Sequence, residues 1–144
     1  MNYVETCEHL LLKERDDEIR KIYKRIVNES GINKKYLTRD FIIQQIQKSA
    51  APRFYLEPKR AMEYVNAYKR GELRHSRKHK QAMVLDLAEV FDEVRAAHLN
   101  DQMGEIWQMV VEHPAKSFYL SPSRIIEIIY EYHDRKRVRK SAVK

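Results

Sequence analysis

Two stretches of this chain resemble one another, AAPRFYLEPKRAMEYVNAY at residues 50–68 and PAKSFYLSPSRIIEIIYEY at residues 114–132. With an offset of 64 residues, residues 41–70 align without gaps to residues 105–134, and ten of the thirty aligned positions are identical. The identities include the FYL triplet, the proline that follows it, and an arginine and a glutamate further on. Internal similarity at a fixed offset is typical of a duplicated supersecondary unit. We therefore expect two diverged copies of one structural unit.

Each copy is predicted to contain three helices, with the FYL triplet as a short extended link before the third. Apolar residues at helical spacing, such as Ile19, Ile22 and Ile26, indicate the helix faces. Proline follows the link in both copies, where the residue before it favours extended backbone and the proline itself suits a first helical position. Thr38 and Ser121 are good N-cap residues for a second and a third helix.

The predicted fold class is all-α, a tandem duplication of a three-helix unit packed with pseudo-twofold symmetry. The first repeat would span residues 1–72 and the second residues 73–137, with residues 138–144 as a basic tail of one compact domain. A chain of 144 residues can bury a core without staples. Its 3 Gly and 4 Pro are too few for the many turns of an all-β fold.

The chain contains none of the common catalytic or targeting motifs. It has no Gly-rich phosphate loop, nucleophile elbow, paired-cysteine motif or long apolar run, and Cys7 is its only cysteine. His75 and His79 are four residues apart but stand among cations, which oppose metal binding. We expect no enzyme, cofactor, metal, membrane or small-molecule substrate, and a cytoplasmic location (host cytoplasm or virion if phage-encoded). An active site between the copies would require perturbed carboxylates or histidines in a deep pocket.

Positive charge is concentrated in two stretches. The first basic run, KRGELRHSRKHK at residues 69–80, holds six Lys or Arg and one Glu, a net charge of +5. The second basic run, RKRVRKSAVK at residues 135–144, holds six Lys or Arg and no acid, a net charge of +6. Because the whole chain carries +7, its other residues are together net −4. This distribution favours a polyanionic partner, although a basic linker and tail can also serve solubility alone.

These runs lead to the prediction of a nucleic-acid-binding protein, with duplex DNA favoured over RNA. Arg60 and Arg124 would add contacts from the start of the third helices, as in a helix-turn-helix motif. Each also has a glutamate three residues on, so a surface salt bridge is the alternative role. The residues expected to contact phosphates are Lys69, Arg70, Arg74, Arg77, Lys78, Lys80, Arg135, Lys136, Arg137, Arg139 and Lys140.

The aromatic residues support a second hypothesis, a protein-interaction or structural module such as a phage virion component or adaptor. Tyr55 and Tyr119 should alternate with core residues along the links and face a partner, a nucleic-acid base or the other copy. An exposed apolar patch around them would favour a protein partner or a homo-oligomer. The residues expected in the core are Phe54, Leu56, Trp107, Phe118 and Leu120.

Overall fold

The computed structural model describes residues 7–30, 37–73 and 77–130, and within these ranges the chain is helical without a strand. The all-α class is thereby confirmed for this part of the chain. None of these helices combines the length and hydropathy that a membrane span requires. The helices are α1 (Cys7–Glu29), α2 (Arg39–Lys48), α3 (Pro58–Lys69), α4 (Lys78–Ala97), α5 (Met103–Glu112) and α6, described over residues 122–130.

The chain forms two compact units, and these units do not follow chain order. The first unit draws on residues 1–13 and 49–119, so it contains α3, α4 and α5. The second unit draws on residues 14–48 and 120–144, so it contains most of α1, all of α2, and α6. Each unit thus combines segments from both halves of the chain. The division into repeats at residues 1–72 and 73–137 remains a prediction.

The first unit is a bundle in which α3, α4 and α5 each contact the other two. Its buried side chains recur at helical spacing, as at Val84, Leu87 and Phe91 on α4. Trp107 on α5 is 4% exposed, and its ring stacks on that of Phe91 with the centroids 4.4 Å apart. The expected burial of Trp107 is confirmed, and it gives this core a large aromatic centre.

The second unit has a core of a different composition. Among its described residues, the buried side chains are all isoleucines, contributed by α1, α2 and α6. Both predicted N-caps lie in this unit: the Thr38 hydroxyl accepts a hydrogen bond from the Phe41 N–H at 3.1 Å, and the Ser121 hydroxyl accepts one from the Arg124 N–H at 3.2 Å. The buried residues are Ile19, Ile22, Ile43, Ile46, Ile125, Ile128 and Ile129.

Residues 49–57 and 113–121 are the links that precede α3 and α6. Ala51 and Ala115 form an isolated antiparallel bridge, in which each backbone N–H donates to the other residue's carbonyl oxygen at 3.0 Å. The prediction of extended backbone throughout the FYL triplet is wrong at Tyr119, whose φ of 57° lies in the left-handed region. Because side chains alternate only along extended backbone, the alternation expected in that triplet does not hold there.

Core placement of the link residues is confirmed in part. Phe54 and Phe118 are buried, at 2% and 7% exposure. Leu56 and Leu120 are half-buried, so their assignment to the core was wrong. Both leucines stand directly before the residue that precedes a helix, where the backbone leaves the link and the leucine is covered on one side only.

Candidate nucleic-acid interface

The first basic run lies at the junction of α3 and α4. Lys69 is the last residue of α3 and Arg70 is its C-cap, while Arg77 is the N-cap of α4 and Lys78 its first residue. Gly71 follows the cap with a φ of 75°, which glycine adopts without steric cost. The packing of α3 on α4 therefore gathers at one junction four cations that are all exposed.

Only some of these cations are neutralised within the fold. The Arg70 guanidinium binds the Glu72 carboxylate at 3.0 Å, and this hydrogen bond lowers the pKa of Glu72. The Lys69 ammonium lies 5.2 Å from the centre of the Phe91 ring, a cation–π distance. Arg77 and Lys78 contact no acidic side chain among the residues the structure describes. Their charges are therefore directed to solvent.

The helix termini add to the positive potential of this junction. No side chain caps α4, and its first turn contains no acidic residue. The partial positive charge at a helix N-terminus disfavours cations there by a few tenths of a kcal/mol. Arg77 and Lys78 at the start of α4 are thus placed against the usual preference for folding, and an anionic partner would relieve that repulsion.

Lys80 is less available than its neighbours in the first basic run. It is half-buried, and its ammonium lies 4.4 Å from the centre of the Tyr64 ring on α3. The cation therefore also serves the packing of α4 on α3. Among the predicted phosphate contacts in the described ranges, Lys80 is the one whose role is most evidently structural.

Arg60 and Arg124 are both exposed and both paired with a carboxylate. The Arg60 guanidinium is 3.9 Å from the Glu8 carboxylate, and that of Arg124 is 2.8 Å from the Glu127 carboxylate. The links before these helices exceed the three- or four-residue turn of a helix-turn-helix motif. The helices on either side of each link also belong to different compact units. This geometry does not favour base reading by the two arginines, which remains a prediction.

The other predicted phosphate contacts lie outside the described residues. The second basic run belongs entirely to that part of the chain, so its role remains a prediction, as does the suggestion that residues 138–144 form a tail. The predicted residues concerned are Arg74, Arg135, Lys136, Arg137, Arg139 and Lys140.

The two tyrosines of the links are half-buried in the first unit. The Tyr55 ring is nearly parallel to that of Phe118, with the centroids 6.1 Å apart. The Tyr119 hydroxyl donates a hydrogen bond to the Asp86 carboxylate at 2.5 Å. Burial and this hydrogen bond raise the pKa of Tyr119 above its usual range. Both rings thus pack within the unit, and whether they also meet a partner remains a prediction.

Asp86 is a buried residue that sequence reasoning missed. It lies on α4 at 5% exposure and also accepts a hydrogen bond from the Lys116 backbone N–H at 3.1 Å. The carboxylate therefore fixes the second link to α4. The sequence did contain a signal, because Asp86 stands three residues after Met83 and four before Val90, on the apolar face of its helix.

Metal chemistry receives no support from the described ranges, where no group of three His, Cys, Asp or Glu side chains is placed to hold an ion. Of the predicted histidine pair, only His79 lies in these ranges. Against families of proteins, curated proteins and solved structures, the chain gives no match.

Proposed function

We propose that this protein is a non-enzymatic nucleic-acid-binding protein that contacts the phosphates of duplex DNA through its basic runs. The observation that carries the proposal is the cluster of exposed cations at the α3–α4 junction. Two of them, Arg77 and Lys78, have no acidic partner among the described residues. Lysine and arginine side chains that meet phosphates release condensed counterions, which supplies affinity for any sequence.

The charge distribution supports a local interface over attraction by net charge alone. The first basic run carries +5 within a chain whose residues outside both runs are net −4. A polyanion would thus be attracted to the runs and repelled by much of the remaining surface. DNA is favoured over RNA as the partner, and the chemistry of phosphate contacts is common to both.

The test is binding of labelled duplex DNA by fluorescence anisotropy, measured from about 50 to 200 mM salt. The test variant replaces Lys69, Arg70, Arg77 and Lys78 with Gln, since all four are exposed at the junction. We expect at least a tenfold loss of affinity and a salt dependence shallower by about 0.9 for each phosphate contact removed.

A matched control separates the junction from net charge. Replacing Lys13, Lys21, Arg25 and Lys48 with Gln removes four exposed cations outside both runs. This control should bind within about threefold of the unmodified chain if the interface is local. Equal losses in the two variants would show generic attraction. Absence of binding even at low salt would remove nucleic acid as the partner.

The proposal includes an origin of the chain by duplication, with the copies related by a local twofold axis. The reciprocal hydrogen bonds between Ala51 and Ala115 support it, because these residues occupy aligned positions 64 residues apart. A residue that pairs antiparallel with its own equivalent is what a twofold axis through the bridge would produce. The two basic runs would then follow equivalent helices, the third of each copy.

A protein-interaction module is the second candidate, and exposed apolar residues favour it. Leu99 and Met103 at the turn between α4 and α5 are 77% and 44% exposed. Exposed apolar side chains close together are typical of protein contacts. Sedimentation across a range of concentrations distinguishes the candidates: self-association lost on Leu99→Ser, together with no DNA binding, would favour this module, perhaps as part of an assembly.

A further inference from the structure

The second unit contains a half-open cavity of about 190 Å³ between α1, α2 and α6. Isoleucines form most of its wall, among them Ile43 and Ile129, and the Tyr23 ring lines it as well. An apolar cavity of roughly 150 Å³ is large enough to bind benzene. The cavity therefore has room for one small ring system.

The first unit shows which side chain fills the corresponding space. In the sequence alignment, Ile43 corresponds to Trp107 and Tyr23 corresponds to Phe91. Trp107 and Phe91 are both buried, and their rings stack at 4.4 Å with 12° between their planes. The second unit has isoleucine in place of the indole, and its cavity is lined by the residues aligned with this stacked pair. The missing volume is thus that of a planar bicyclic ring beside a tyrosine.

The rim of the cavity carries a cation that the first unit lacks. Arg39 and Tyr130 both line it, with the guanidinium carbon 5.0 Å from the centre of the Tyr130 ring and a guanidinium N–H donating to its hydroxyl. Their aligned residues are Met103 and Asn66, neither of which is charged. Arg39 forms no ion pair within the described ranges, so its other N–H donors can meet an anion.

We propose that this cavity binds a small planar aromatic carboxylate. The aromatic ring would lie against Ile43 and Tyr23, in the space that the Trp107 indole fills in the first unit. The carboxylate would lie at the rim and accept hydrogen bonds from Arg39, a charge-assisted geometry that guanidinium groups favour. This site is separate from the α3–α4 junction and does not depend on nucleic-acid binding.

The experiment is a titration of the full-length, isotopically labelled chain with indole-3-propionate, followed by NMR, with 3-methylindole as the neutral probe. We expect chemical-shift changes around Tyr23, Ile43 and Ile129, and a Kd of about 1 mM or tighter for a ligand of this size. The Arg39→Gln variant should bind the carboxylate about tenfold more weakly and 3-methylindole within about twofold of the unmodified chain. Arg39 is exposed, so this variant should fold normally.

A second variant tests the cavity itself. Ile43→Trp places an indole where the other unit has one, and we expect binding of both probes to be lost while the helical circular dichroism is kept. No shift changes at several times the expected Kd would overturn the proposal. So would binding that survives Ile43→Trp, or a carboxylate affinity that Arg39→Gln leaves unchanged.

Discussion

At the scale of single residues, Asp86 is the group with the most demanding environment. It is the only charged residue that the described ranges bury, and it accepts hydrogen bonds from the Tyr119 hydroxyl and the Lys116 backbone N–H. A buried carboxylate is tolerated when such donors compensate for lost hydration. These donors come from the link before α6, so one side chain joins a helix to an irregular segment.

Replacing Asp86 with Ala should destabilise the protein by about 1–3 kcal/mol, because two donors lose their acceptor. The measurement is urea unfolding followed by circular dichroism. Asp92→Ala is the control, since Asp92 is exposed on the same helix and its change should stay within about 0.5 kcal/mol. Equal effects of the two substitutions would contradict the role assigned to Asp86.

Residue-level prediction from sequence succeeded where local chemistry decides the outcome. Thr38 and Ser121 cap their helices as expected, because N-capping depends on the residue and its neighbours in sequence. The position of Asp86 depends instead on donors about thirty residues away in the chain. The φ of Tyr119 is similarly set by the tertiary contact of its hydroxyl with Asp86, which no local pattern encodes.

At the scale of helices and links, the two third helices differ in how they begin. Ser121 accepts a hydrogen bond from the Arg124 N–H, whereas Glu57, the N-cap of α3, makes no side-chain cap hydrogen bond. The backbone of Glu57 already has the extended conformation of an N-cap, with φ −71° and ψ 146°. The difference therefore lies in the side chain.

Ser121→Ala should lower the free energy of unfolding by about 1 kcal/mol, and Glu57→Ser should raise it by about 0.5 kcal/mol. The gain is smaller because serine supplies a cap but removes a negative charge that the helix dipole favours. Thermal or urea unfolding measures both. Ser123→Ala, an exposed position just inside α6, is the control and should change stability by less than about 0.5 kcal/mol. A loss on Glu57→Ser would contradict this account.

At the scale of the whole molecule, the grouping of helices is what the sequence did not reveal. The helix faces and starts follow from spacing and from Pro58 and Pro122, and the observed helices agree with them. An apolar face does not specify its partner, so α3 could in principle pack with either copy. In the structure α3 packs with α4 and α5, and α6 belongs to the unit that contains α2.

The candidate site shows the same limit. The two basic runs are visible in composition, and the exposure of Lys69, Arg70, Arg77 and Lys78 agrees with that pattern. The pairing of Arg60 with Glu8 could not be foreseen, because it joins the start of α1 to α3 across about fifty residues of chain. The cavity beside Ile43 likewise emerges only when the aligned Trp107 is seen stacked on Phe91.

This grouping predicts that neither half of the chain folds alone as a monomer. Residues 1–72 would leave α3 without α4 and α5, and residues 73–144 would leave α6 without α1 and α2. Each half expressed separately should show low helicity and no cooperative melting by circular dichroism at low concentration, because an isolated helix of this length is marginal in water.

Mixing the halves in equal amounts should restore the helicity and a cooperative transition, since the mixture supplies both sets of partners. Sedimentation must accompany the spectra, because a half could also pair with a second copy of itself through its third helix. A monomeric half of residues 1–72 that melts cooperatively would show that α3 packs back on α1 and α2 when α4 and α5 are removed. The contacts of α3 seen here would then be one of two available arrangements, and the chain-order division into repeats would describe independent folding units.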